Sequence, residues 1–226
     1  MASVLGLDAC KAGWVGIRLH DDQAPTAFSA STVAQIVDLA GTVEVVAIDI
    51  PIGLPTTGGR VSEALARKIV GRRASSVFST PPRAVLEAGT HADAIAVCNE
   101  LTGGGVSAQA YALRTKIFEV DRWVATAPML VVEVHPEVSF ATLAGRPLAE
   151  PKSTWSGFQL RRRILAGAGI VLDDDLGLAG HKAAPDDVLD AAVAAWTAQR
   201  VAAGAHLCLP DPPEVLSDGR RSAIWA

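Results

Sequence analysis

Apolar and polar positions alternate along the chain in blocks that predict short strands separated by helices. Residues 3–7 form an apolar run that ends on Asp8. After a turn at Gly13, Trp14–Leu19 resumes as a second strand and Pro25–Ser29 as a third. Short turns between the three predict an antiparallel meander. Ser31 or Thr32 can cap a helix running through Leu39, and Gly41 stops it. Val43–Ile48 is apolar except at Glu44, ends on Asp49 and is halted by Pro51, the signature of a buried strand of parallel type. Pro51–Arg60 reads as loop, and Val61–Arg73 is helical in period and basic. Ala74–Arg83 is extended or loop by its prolines. Helices are predicted over His91–Leu101 and Ser107–Val120, with Gly103–Gly105 as the turn between them. Met129–Val134 is a second buried strand, followed by His135-Pro136-Glu137. Trp155–Ala168 reads as helix, and Pro185 opens another that runs to about Ala203. His206–Leu209 is a last short strand, closed by Asp211-Pro-Pro.

Apolar strands alternating with helices place the chain in the α/β class. The expected organisation is one domain over residues 1–226, with 56–126 as a mostly helical insertion. Its 226 residues are long enough to bury a core, and an apolar fraction of 50% excludes a disordered chain. Three cysteines, Cys10, Cys98 and Cys208, form no C-x-x-C pair and read as reduced, buried small side chains. The N-terminus lacks a basic segment followed by an apolar stretch, so no signal peptide is expected. No apolar run approaches the roughly 20 residues of a membrane span. A cytoplasmic protein without a membrane partner is therefore expected.

Acids at the ends of apolar strands change the picture. Asp8 and Asp49 each end one, and Glu133 lies at the end of the third apolar run with His135 and Glu137 just beyond. Asp187 and Asp190 lie three residues apart on one face of the late helix, preceded by Asp186. Open α/β sheets place their sites beyond the carboxyl ends of the strands. One Asp at a strand end commonly caps a turn, and Asp186 and Asp187 fit ordinary first-turn helix acids. Asp190 is harder to explain that way, because it sits inside the helix beside an apolar face. Two carboxylates about 4 Å apart repel by roughly 4 kcal/mol at an effective dielectric near 20. Either one is protonated or a cation lies between them. Acids from several elements favour a divalent ion. Oxygen ligands without Cys and with little His select Mg²⁺ or Mn²⁺. Such a site can drive in-line displacement at phosphorus.

A strand ending in Asp, two antiparallel strands, a helix, a second acid-ending strand and a late D-x-x-D helix together resemble the ribonuclease H-like fold. Asp187-Val-Leu-Asp190-Ala-Ala resembles the last acidic helix of its Holliday-junction resolvase branch. Five segments resemble the domain of unknown function 429 family, described as predicted ribonuclease H-like nucleases. They are Gly6-Leu-Asp8-Ala-Cys-Lys-Ala-Gly-Trp14, Ala47-Ile-Asp49-Ile-Pro-Ile-Gly-Leu-Pro55, Val77-Phe-Ser-Thr-Pro-Pro-Arg83, Glu133-Val-His-Pro-Glu137 and Asp186-Asp187-Val-Leu-Asp190. The resemblance implies a mixed sheet of three antiparallel strands plus parallel strands, flanked by helices. It also implies a divalent-metal nuclease cleaving nucleic acid with a metal-activated water. Asp8, Asp49, Asp187 and Asp190 match the resolvase-type quartet, with Glu133 or Glu137 as a further ligand or base. Glu133, His135 and Glu137 have no clean counterpart in that quartet and look like the family's own addition.

Net charge is −4, from 20 Lys+Arg against 24 Asp+Glu, which argues against a tail-driven nucleic-acid binder. Yet residues 60–83 hold six basic side chains against one acid, and 152–163 hold four against none. These are phosphate-binding candidates, or else solvated helix faces. From them, and from the acid-rich segments, Lys11, Arg60, Arg83, His135, Glu137, Lys152 and Arg163 are the candidate substrate contacts. Lys152 and Arg163 lead if they project toward the acids. Ser79–Arg83 is expected to order a loop over the site or to form a structural proline turn. Gly103–Gly105 lacks a phosphate-loop pattern. Trp14, Trp123, Trp155 and Trp196 read as packing residues. Two other functions fit the same fold: a non-catalytic nucleotide- or anion-binding module, and an actin-like ATP-dependent phosphotransferase. Ala9, Cys10 and Lys11 stand where the latter needs Gly with Ser or Thr.

Overall fold

A computed structural model describes residues 3–20 and 23–226. Met1 and Ala2, the start of the segment read as free of a signal peptide, lie outside them. The chain opens with β1 (Val4–Cys10), β2 (Gly13–Leu19) and β3 (Thr26–Ala30), then α1 (Val33–Ala40) and β4 (Val45–Ile48). Thr32 caps α1 by accepting from the Gln35 amide, as the Ser/Thr pattern predicts. Next come α2 (Val61–Val70), a 3-10 turn over Gly71–Ser76, α3 (Arg83–Glu87), α4 (His91–Thr102), α5 (Ala108–Ala112) and α6 (Arg114–Val124). The second half holds β5 (Leu130–Glu133), α7 (Pro136–Ala144), α8 (Trp155–Gly167), α9 (Leu178–Lys182), α10 (Pro185–Ala202), β6 (Cys208–Val215) and β7 (Arg221–Trp225).

Five strands form a mixed sheet in the order β3-β2-β1-β4-β5. The β3-β2-β1 meander is antiparallel, and β4 and β5 add in parallel. Side-chain alternation divides the strands between two cores. Val4, Val15, Val45, Ala47 and Val132 face α10 and its neighbours. Leu5, Leu7, Val46 and Ile48 face α1 and α6. α10 lies directly on β1, and Gly6 makes this possible. A Cβ on Gly6 would stand 2.1 Å from the Ala195 nitrogen and 2.2 Å from the Ala191 oxygen. The buried alanines Ala191, Ala192, Ala194, Ala195 and Ala198 supply the matching flat surface on the helix.

Several elements depart from the sequence expectation. Val61–Arg73 is helical only to Val70, where Gly71 takes a positive φ and the chain tightens into the 3-10 turn. The helix expected over Ser107–Val120 is two, which meet at Leu113. Arg83 opens a short helix, and His135-Pro136-Glu137 leads into α7 with Pro136 at its first position. His206–Leu209 is not a lone closing strand: β6 runs on through Asp211-Pro-Pro to Val215 and pairs with β7 as a separate two-stranded sheet. Trp155 does not pack into the core. It is 76% exposed and stacks on Phe158. The three cysteines are free; Cys98 and Cys208 are buried as expected, but Cys10 is only half-buried. Among the described residues no helix is long and apolar enough to cross a membrane.

Candidate metal centre

Alternation also aims the acids. Gly6 faces α10, so Asp8, two residues on, faces the same way. Ala47 faces α10, so Asp49 does too, and the bond from the Asp49 amide to the Leu7 carbonyl sets it beside Asp8. Asp190 precedes the alanine stretch that rides over Gly6. Carboxylate oxygens of Asp8, Asp49 and Asp190 therefore converge, all within 4.8 Å of one another. Asp8 and Asp190 are buried and Asp49 is half-buried.

Electrostatics at this point are strained. Burial, then the charges of Asp49, Asp190 and Asp187, hold the Asp8 carboxyl well above the usual carboxylate range. Burial pushes Asp49 and Asp190 up to about 7 against the pull of Lys152. The Lys152 ammonium lies 2.5 Å from Asp190 Oδ2 and 3.6 Å from Asp186. The other oxygen, Asp190 Oδ1, is buried with no hydrogen-bond partner. One ammonium thus faces three crowded carboxylates. An all-oxygen set with an orphaned buried acceptor fits a hard divalent cation. Asp187 stands at the margin: it is half-buried, accepts from the Ala184 amide at 3.3 Å, and its carboxyl is raised by burial.

The three acids open onto a cleft of about 370 Å³. Lys152, His135, Glu137 and Arg73 also line it. His135 Nε2 meets the Ser76 carbonyl at 3.2 Å, Nδ1 has no partner, and burial lowers the ring's pKa. Glu137 takes two bonds from the fully buried Arg161 guanidinium, at 2.7 and 2.9 Å. The same carboxylate holds Arg73 Nε at 3.5 Å. Arg73 is thus a second cleft cation that sequence reasoning did not single out. Its only signal was membership of the basic 60–83 segment, where six basic residues look alike.

Other expected site residues lie elsewhere. Glu133 is not one of the converging acids, although its charge helps to raise Asp49. It pairs with Ile48, and its neighbours Val132 and Val134 face α10, so its own side chain leaves on the opposite face. There Arg60 grips it with two bonds of 2.7 and 2.6 Å, and it accepts the Ile52 amide at 2.7 Å. Arg60 is correspondingly not a phosphate contact. Its side chain is 1% exposed, and it also bonds Glu63 and Ser222. The pair fixes the loop that follows Asp49. Arg83 is committed to Asp121 at 2.9 Å, outside the cleft lining. Lys11 and Arg163 are exposed and line no part of the cleft. Ser79–Arg83 lines no part of the acidic cleft: Arg67 and Glu63 tie Ser79 and Thr80 down, and it is the preceding Phe78 that reaches the cleft wall.

Removing Arg60 takes the guanidinium from two buried carboxylates, leaving Glu133 with the Ile52 amide and Glu63 with the Thr80 amide and a longer Arg67 contact. Arg60→Met is expected to lower unfolding free energy by about 3 kcal/mol or more, measured by denaturant titration. A change under about 0.5 kcal/mol would contradict the clamp.

Residues 6–215 match the family described as protein of unknown function DUF429. No curated protein and no solved structure matches the chain.

Proposed function

For this chain, which belongs to the DUF429 family, we propose a divalent-metal-dependent phosphodiesterase of the ribonuclease H-like kind that acts on nucleic acid in the cytoplasm. The observation that carries the reading is the convergence of Asp8, Asp49 and Asp190, from two parallel strands and a helix, within 4.8 Å. The meander, the two parallel strands and the acidic helix across β1 agree with a ribonuclease H-like core. Within it, residues 56–126 are the helical insertion, and they supply Arg73, Phe78 and Ala110 to the cleft wall.

Asp8, Asp49 and Asp190 would hold Mg²⁺ or Mn²⁺, with Asp187 at the margin. The ion supplies a water of lowered pKa and charge neutralisation at phosphorus. Lys152 holds Asp190 in place and keeps its proton, since Asp190, Asp8 and Asp186 together outweigh the cost of its burial. Arg73, steered by Glu137 and Arg161, presents a guanidinium across the cleft for a phosphate oxygen. His135 is held neutral by burial and can pass a proton at its unpartnered Nδ1.

Cleavage of labelled single- and double-stranded DNA and RNA, with Mg²⁺, with Mn²⁺ and with chelator, tests the reading. Metal-dependent product is expected. Metal-independent activity, or nucleotide binding with no cleavage of any substrate, would sink it. Arg73→Ala is expected to raise KM about tenfold by removing one charge-assisted phosphate contact. An unchanged KM would remove Arg73 from the phosphate-binding role.

A further inference from the structure

A second hollow of about 480 Å³ adjoins the acidic cleft, and Phe78, Ser107 and Ala110 line both. Its chemistry is opposite to that of the cleft. No charged side chain lines it; its wall is glycine, proline, hydroxyl and apolar groups. Thr80 is 2% exposed, and its Oγ1 is buried without a hydrogen-bond partner. Side chains added at Gly59 and Gly105 on this wall would meet no atom within 4 Å, so the backbone faces open space. Phe78, 37% exposed, offers a bare aromatic ring between the two hollows.

Charged and uncharged hollows side by side suit a ligand with one charged and one planar neutral part. A phosphate belongs beside Arg73 and Lys152. An uncharged heteroaromatic ring belongs against Phe78. Stacked duplex bases present no free face to Phe78. We propose that this hollow is a base subsite, and that the site takes an unpaired nucleotide, with its base on Phe78 and its phosphate in the acidic cleft. The phosphate half rests on the phosphodiesterase reading; the base half stands on the second hollow alone.

Calorimetry of the full chain in Mg²⁺ tests it with three probes: a short single-stranded oligonucleotide, the same strand with its bases replaced by abasic sites, and the matching duplex. Nucleoside monophosphate is titrated beside ribose 5-phosphate to separate a free nucleotide from a strand. The single strand is expected to bind on the order of tenfold tighter than the abasic strand or the duplex. Phe78→Ala is expected to erase that difference, and Phe78→Trp to restore it. Equal affinity for base-bearing and abasic probes, tighter binding of the duplex, or a single-strand preference that survives Phe78→Ala, overturns the base subsite. Base-dependent binding through Phe78 without any cleavage keeps the subsite and rejects the phosphodiesterase. Metal-dependent cleavage with no base dependence does the reverse.

Discussion

Asp190→Asn is expected to abolish metal-dependent cleavage, by on the order of a thousandfold or more, while leaving the fold intact. The residue is 2% exposed, so the replacement must be isosteric, and Asn is. It keeps an oxygen that can accept from Lys152, but removes a unit of charge where three carboxylates meet. Without metal that removal relieves repulsion, so the metal-free variant should melt no lower than the parent. Asp8→Asn should behave alike, since the same neighbours crowd Asp8. Activity, Mn²⁺ affinity by calorimetry, and melting temperature are the three readouts. Lost activity and weakened metal binding with an unchanged or higher melting temperature identify ligands. A fall in melting temperature alone would make the acids structural. Wild-type-like turnover by both variants would remove the metal centre altogether.

The strands that carry Asp8 and Asp49 were legible because an apolar run that stops on an acid is a local pattern. Asp190 was legible for a related reason: an acid inside an otherwise apolar helical stretch needs a partner. Glu133 shows the limit. It too ends an apolar run, but its direction depends on pairing with Ile48, and one residue of register exchanges the two faces of a strand. Arg60 was misread for want of long-range information, since Glu133 and Ser222 lie 73 and 162 residues away. Arg73 shares its basic segment with Arg60, and only the 3-10 turn turns one into the cleft while the helix start buries the other. The closing hairpin was hidden by Pro212 and Pro213, which after Asp211 read as a stop. A two-stranded sheet consists of edges only, where a missing amide is tolerated. α7 did carry a signal, Pro136 at its start and Gly145 at its end, but the motif at its head drew the reading toward chemistry instead.

Proton linkage gives the second large effect, and its sign follows from the raised carboxyls. Asp49 and Asp190 move from 3.8 to about 7 on folding, and Asp8 moves the same way. Between those values the folded chain binds more protons than the unfolded one, so stability falls as pH rises. This contribution is intact below about pH 4 and is lost by about pH 7. His135 opposes it. Its lowered pKa gives stability that is present above 6.5 and is lost on acidification, but it is one group against five raised carboxyls, since burial lifts Asp187 and Glu133 as well. Lys152, raised above its ordinary 10.5, does not titrate in this window. The metal-free protein should therefore melt at a lower temperature at about pH 8 than at about pH 5. A divalent ion needs the ionised carboxylates, so its binding releases protons and strengthens with pH. Mn²⁺ at about a hundred times its dissociation constant adds about 2.7 kcal/mol. Its rise in melting temperature should accordingly be large at the higher pH and nearly absent at the lower, and it should vanish in Asp190→Asn. An equal Mn²⁺ effect at both pH values would mean that the ion binds elsewhere. A metal-free melting temperature that climbs steadily from pH 5 to 8 would mean that these carboxyls are ionised without it, with Lys152 alone enough to hold them together.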